Sequence, residues 1–127
     1  MPRIELTPTA ERRRSDRKNF FASVSIDRAA EAPAPGRALN ISKGGIAVAT
    51  DFTTPLQARC ELSFVITVAT RPVHAQRVGA VVRSSTFSLS RWGHGVHLGF
   101  EFDAAPLELV EAIGRYSAGS LGGTSPQ

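Results

Sequence analysis

Arg37-Ala38-Leu39-Asn40-Ile41-Ser42-Lys43-Gly44-Gly45-Ile46-Ala47-Val48-Ala49-Thr50 is the stretch on which the fold turns. Arg37 to Ile41 reads as a short strand, and Ile46 to Thr50, rich in apolar and β-branched side chains, reads as the next. Between them Ser42-Lys43-Gly44-Gly45 is polar and carries two glycines, the composition of a tight turn between paired strands.

Working outward, the same logic extends in both directions. Upstream, Phe20, Ala22, Val24 and Ile26 alternate with Phe21, Ser23, Ser25 and Asp27, a strand with one buried face. Ala32-Pro33-Ala34-Pro35-Gly36 is expected as a loop. Downstream, Cys60, Leu62, Phe64 and Ile66 share one strand face, and Thr70-Arg71-Pro72 is expected as a turn. Val73 to Arg83 is a long strand with Val78, Ala80 and Val82 on one side, and Ser84 to Gly93 is expected as a polar loop holding Trp92. Val96, Leu98, Phe100 and Phe102 alternate with His97, Gly99 and Glu101 in the last strand.

After Asp103 the period changes. Pro106 suits a first helical turn, where its missing N–H is not needed. Leu107, Val110, Ile113 and Ser117, with Leu109 and Tyr116 alongside, recur at helical spacing, and Gly119 fits a C-terminal stop. The expected fold is mainly β: a six-stranded antiparallel barrel, closed to avoid open edges, with a C-terminal helix. Residues 20–118 form this unit. Residues 1–19 are read as a flexible basic arm and residues 119–127 as a disordered tail.

The arm carries Glu11-Arg12-Arg13-Arg14-Ser15-Asp16-Arg17-Lys18. The chain has 127 residues and a net charge of +4, and its only lysines are Lys18 and Lys43. Arginine supplies a planar fork of donors for phosphate oxygens and for the O6/N7 edge of guanine. A turn such as Asn40-Ile41-Ser42-Lys43-Gly44-Gly45 adds short acceptors, a hydroxyl and open backbone amides. An arginine run followed by such a turn is suited to a phosphorylated ligand with nucleobases.

Order and spacing of the two motifs resemble the PilZ domain family, whose signatures are RxxxR and (D/N)xSxxG. The late strand His94 to Phe102 with its following helix is a third point of likeness, so the resemblance covers roughly Arg12 to Ser117. It implies a receptor for the bacterial second messenger cyclic di-GMP. Arg13 and Arg17 fill the RxxxR positions; Arg14 and Lys18 form a second basic pair at the same spacing, further from the usual separation to the first strand. Asn40, Ser42 and Gly45 fill the second motif. Asn40 stands where many members have aspartate, so it would accept from guanine through one carbonyl oxygen. Ser42 would offer a hydroxyl, and Gly45 would leave space for the base. Arg12, just before the motif, implies an intercalated ligand dimer. An unidentified protein partner would read the ordered arm. The alternative is a ligand-blind adaptor of the same fold in motility or pilus machinery.

The remaining residues exclude other classes. One cysteine, Cys60, allows no intrachain disulfide and fits a reducing, cytoplasmic setting. The N-terminus shows no apolar run of signal-peptide length, and no stretch nears the roughly 20 apolar residues that span a bilayer, so no membrane insertion is expected. His94 and His97 point to opposite faces of a strand, so no metal site is expected. Cys60 reads as a buried, inert thiol. A nucleic-acid binder would space aromatics along the strand surface, whereas here most alternate into the core. No nucleophile–base pair or carboxylate dyad can be assembled, so neither an enzyme nor a cofactor is expected.

Overall fold

The structure, a computed structural model, describes residues 18–87 and 95–124. Six strands are followed by one helix: β1 Lys18–Arg28, β2 Ala34–Ser42, β3 Gly45–Thr50, β4 Arg59–Val68, β5 Arg71–Phe87, β6 Val96–Phe102 and α1 Leu107–Thr124. The strands close into a barrel in the order β1-β2-β3-β6-β5-β4, every pairing antiparallel. Closure gives each strand two neighbours along much of its length, which satisfies backbone groups that an open sheet would expose.

The alternation in the sequence becomes the barrel's interior. Val24 and Ile26 of β1, Ile41 of β2, Val48 of β3, Leu62 and Ile66 of β4, Val78 and Val82 of β5 and Leu98 of β6 are buried together. Each removes an aliphatic side chain from water, about 1.5–3 kcal/mol apiece. β1 and β4 pair over Ser25–Arg28 and Cys60–Ser63, and α1 packs on β4, β2 and β5. Its Leu109, Ala112 and Ile113 are buried. Phe20 meets Phe64 edge-on at 5.9 Å and Tyr116 at 5.6 Å, which joins β1, β4 and α1 in one aromatic cluster.

Several segment boundaries differ from the sequence reading. Ala34, Pro35 and Gly36 belong to β2 and pair with Ile26, Ser25 and Val24, so the connection from β1 spans 29–33. Proline is tolerated because the pairing with β3 begins only at Arg37↔Ala49, leaving Pro35 on an edge where no N–H is needed. Arg71 and Pro72 are strand residues paired with Val68 and Thr67. The turn is instead Ala69-Thr70, with φ of 51° and 69°, a left-handed pair that usually selects Asn-Gly. Ser84 to Phe87 extend β5 beside Gly99 to Val96. The helix runs through Gly119 to Thr124, because glycine permits a helix stop without compelling one. Lys18 and Asn19, assigned to the arm, already pair with Ile41 and Asn40. Trp92 and His94 lie outside the described residues.

Candidate functional site

The Asn40-Ile41-Ser42-Lys43-Gly44-Gly45 segment ends β2, turns and opens β3. Ser42 is registered with Gly45, so Lys43 and Gly44 form a two-residue turn. The Gly44 N–H donates to Ser42 Oγ at 3.2 Å, and the Phe102 N–H donates to the Gly44 carbonyl at 2.9 Å. The turn is therefore braced by its own serine and tied to the end of β6.

The two glycines have different duties. A Cβ on Gly44 would meet nothing closer than Ser42 Oγ at 4.0 Å. A Cβ on Gly45 would collide with the backbone carbonyl of Phe100. Gly45, registered with Glu101, is thus required by the close approach of β3 and β6. Its lack of a side chain serves the barrel, whereas the sequence reading assigned that space to a nucleobase.

Asn40 is half-buried in β2, opposite Asn19 of β1 and Ala47 of β3. Two irregularities flank it. Between Asn19 and Ala22, β1 carries one residue more than β2; between Ala38 and Asn40, β2 carries one more than β3. Such bulges bend a strand and redirect its side chains. Here they adjust the segment that holds Asn40 and Ser42.

Lys18 is registered with Ile41, between Asn40 and Ser42. Residues 12–17 immediately precede it in the chain, so the basic segment joins the barrel directly beside the turn. Arg12, Arg13 and Arg17 themselves lie outside the described residues. Lys43 is exposed in the turn, and its aliphatic stem passes over Gly114 of α1, where an added Cβ would sit 3.2 Å from Lys43 Cε. Glu101, across from Gly45, would oppose an anion, but its carboxylate is paired with Arg83.

One contributor was not legible in the sequence. Tyr116 Oη donates to the Asn19 carbonyl at 2.8 Å while its ring packs on Phe20. Burial raises the Tyr116 phenol above its ordinary value, so it remains a donor at neutral pH. Helical periodicity placed Tyr116 on the apolar side of α1, but nothing in that pattern names a carbonyl 97 residues away.

A second charged region lies on β1, β4 and β5. Asp27 and Glu61 are directly opposed on neighbouring strands, an arrangement that is unfavourable for like charges. Arg77 lies at 3.5 Å from Asp27 and 2.6 Å from Glu61. It reaches both from an irregular point in β5 where its φ is 53° and its N–H donates to Ser63 Oγ at 3.0 Å. Arg59 pairs with Asp103 at 2.6 Å. Asp27, Arg59, Glu61 and Arg77, with Ala29, Cys60 and Gly79, line a concavity of about 360 Å³. Both guanidinium groups are engaged by the protein's own carboxylates. Cys60 is buried, and desolvation holds its thiol above the ordinary value although Arg28 opposes the shift. A thiol in that state is a poor nucleophile. Among the described residues no three His, Cys, Asp or Glu side chains gather as metal ligands, and no helix is long and apolar enough to cross a membrane.

The PilZ domain family model matches residues 11–119 of the chain. No curated protein matches. Among solved structures, the inhibitor of motility MotI/DgrA of Bacillus subtilis superposes with a TM-score of 0.71 at 19% identity, over 86% of this chain and 51% of that one. The present chain thus spans about half the length of the Bacillus protein. The PilZ domain of Escherichia coli YcgR, solved with c-di-GMP, superposes with a TM-score of 0.58 at 12% identity, over 85% of this chain and 95% of that domain.

Proposed function

This chain belongs to the PilZ domain family, and we propose that it is a non-catalytic, cytoplasmic bacterial receptor that binds cyclic di-GMP and relays the signal to a protein partner. The observation that carries this reading is the β1–β2 register. It sets Lys18 against Ile41, so the chain immediately after Arg17 runs between Asn40 and Ser42. The residue that follows the arginine motif in the chain therefore lies beside the second motif, which supports a site shared by the two. The YcgR domain holds c-di-GMP on the same fold, which supports the choice of ligand.

In this reading Arg13 and Arg17 pair with the ligand's phosphates and guanine edges and stack on a guanine face. Asn40 accepts from a guanine through its carbonyl, and Ser42 contributes a hydroxyl. Arg12 neutralises a second, intercalated cyclic di-GMP. The arm orders on binding. Each charge-assisted hydrogen bond contributes roughly 1.5–3 kcal/mol, against about 1–2 kcal/mol of backbone entropy per residue fixed. Several contacts must form together, so loss of one arginine is expected to weaken binding severely. The newly ordered arm presents a surface to the partner.

Calorimetric titration of cyclic di-GMP into the whole protein tests this reading. The wild type is expected to bind two ligands per chain and to ignore GTP. Arg13→Ala and Arg17→Ala are expected to abolish the heat while the proteins stay folded, and Arg12→Ala to reduce the stoichiometry to one. A folded wild type that gives neither heat nor a thermal shift would overturn the receptor reading. It would leave an adaptor of PilZ fold, a reading to which the likeness to the motility inhibitor from Bacillus lends support.

A further inference from the structure

Among the described residues, the end of β5 has a strand neighbour on one side only. β4 pairs with β5 from Val68↔Arg71 to Arg59↔Val81. Two more bonds follow, in which the Gln57 N–H donates to the Val82 carbonyl and the Val82 N–H to the Ala58 carbonyl. Gln57 then adopts a φ of 73°, which turns the chain away from β5. Beyond that point β5 continues as Arg83-Ser84-Ser85-Thr86-Phe87, exposed at all five residues, with Ser84 to Phe87 paired to β6 on the other side. The register shift between Val82 and Ser84 marks where this extension begins.

Such an edge offers unpaired backbone donors and acceptors, and proteins usually guard edges with charges, proline or an inward-pointing lysine. Ser84 to Phe87 carry none of these. Arg83 is committed to Glu101 and to Gln57 Oε1. Two of the most exposed large apolar side chains bracket the edge: Phe87, 78% exposed, at its far end, and Leu56, 57% exposed, next to Gln57 at its near end.

We propose that this edge is a homodimer interface, in which Arg83–Phe87 of one copy pairs antiparallel with the same segment of a second copy about a two-fold axis at Ser85. A two-fold pairing makes the surface its own complement. Centred on Ser85, it sets Ser84 against Thr86 and Arg83 against Phe87, using the whole exposed edge. Phe87 of each copy then arrives where Gln57 diverts the other chain, beside the other's Leu56. The facing residues are uncharged or already paired, so no like charges oppose each other. A partner strand bearing its own charges would gain nothing specific from this neutral edge, which favours a second copy as the occupant.

Sedimentation equilibrium of the full chain, over a range of concentrations and without ligand, tests the interface. The wild type is expected to show reversible monomer–dimer exchange. Ser85→Lys and Ser85→Glu would each place like charges at the axis, and each is expected to sediment as a monomer whose thermal unfolding matches that of the wild type at concentrations where the wild type is also monomeric, because Ser85 is exposed. Mixing the two variants is expected to restore a one-to-one dimer. Ser85→Cys is expected to form an interchain disulfide under mild oxidation, with Cys60 buried out of reach. A wild type that stays monomeric throughout, or a dimer that survives both charged substitutions, would overturn the proposal.

Discussion

The surface under α1 and the charged wall of β1, β4 and β5 are held by opposite means. Under α1, Phe20, Phe64, Leu109, Ala112 and Ile113 are buried, and Tyr116 supplies one hydrogen bond at the rim. On the wall, Arg59 and Arg77 hold Asp103, Asp27 and Glu61 while their side chains remain 72% and 69% exposed. The first region excludes water and gains stability roughly in proportion to apolar area. The second is solvated, and exposed ion pairs contribute little. Stability is therefore concentrated where α1 closes over the barrel, beside the segment that carries Asn40 and Ser42. The wall mainly keeps two opposed carboxylates from repelling each other.

The sharpest way to break this comparison is one truncation in each region. Ile113→Ala is expected to destabilise the protein by about 2–5 kcal/mol through lost burial and a residual cavity. Arg77→Ala is expected to cost no more than about 1 kcal/mol, and less at high salt, where Asp27–Glu61 repulsion is screened. Urea unfolding at two ionic strengths measures both. A larger effect for Arg77 would invert the ranking.

The next contrast separates two neighbouring glycines. Gly45→Ala must push β3 away from the Phe100 carbonyl and is expected to cost about 1–3 kcal/mol. Gly44→Ala has open space before it and is expected to stay within about 0.5 kcal/mol of the wild type. Equal effects would mean that the close approach at Gly45 is not what constrains the turn.

Alkaline pH gives a smaller effect. Cys60 is raised above its ordinary value of 9.0, first by desolvation and then by Asp27, with Arg28 opposing. A raised pKa in the folded state means that unfolding releases the proton more readily. Its stabilising contribution is full below pH 9.0 and declines as pH rises through the folded value. Unfolding free energy is expected to fall above that pH, and Cys60→Ala is expected to flatten part of the fall. Tyr116 adds a similar loss beginning near 10.0. An unchanged slope in Cys60→Ala would show that the thiol does not contribute.

The smallest expected effect is a gain. Thr70 holds a φ of 69°, unfavourable for a β-branched residue. Thr70→Gly relieves that strain and is expected to stabilise the β4–β5 hairpin by up to about 1 kcal/mol, seen as a higher melting temperature. No gain would indicate that this turn is already relaxed.

The fold was largely legible because period-two alternation and the late switch to helical spacing are local properties. Val24, Ile41, Leu62, Val82 and Leu98 could be placed inside from their immediate neighbours alone. Segment ends were less legible. Pro35, Pro72 and Ser84 to Phe87 read as turn or loop residues, yet pairing partners from elsewhere in the chain draw them into strands. Of the candidate site, Asn40, Ser42 and Gly45 could be named only through the resemblance to the PilZ motif. The β6 carbonyl that requires Gly45 and the α1 tyrosine that holds Asn19 could not.

By itself, then, the sequence determined the strands' inward faces, the presence of a turn within Ser42-Lys43-Gly44-Gly45 and the helix after Asp103, because burial patterns and turn preferences act over a few residues. Tertiary structure alone decided that Lys18 lies opposite Ile41, that Tyr116 reaches Asn19, and that β5 outruns β4 to leave an edge. Those outcomes depend on register and barrel closure, which fix contacts between residues that no local pattern relates.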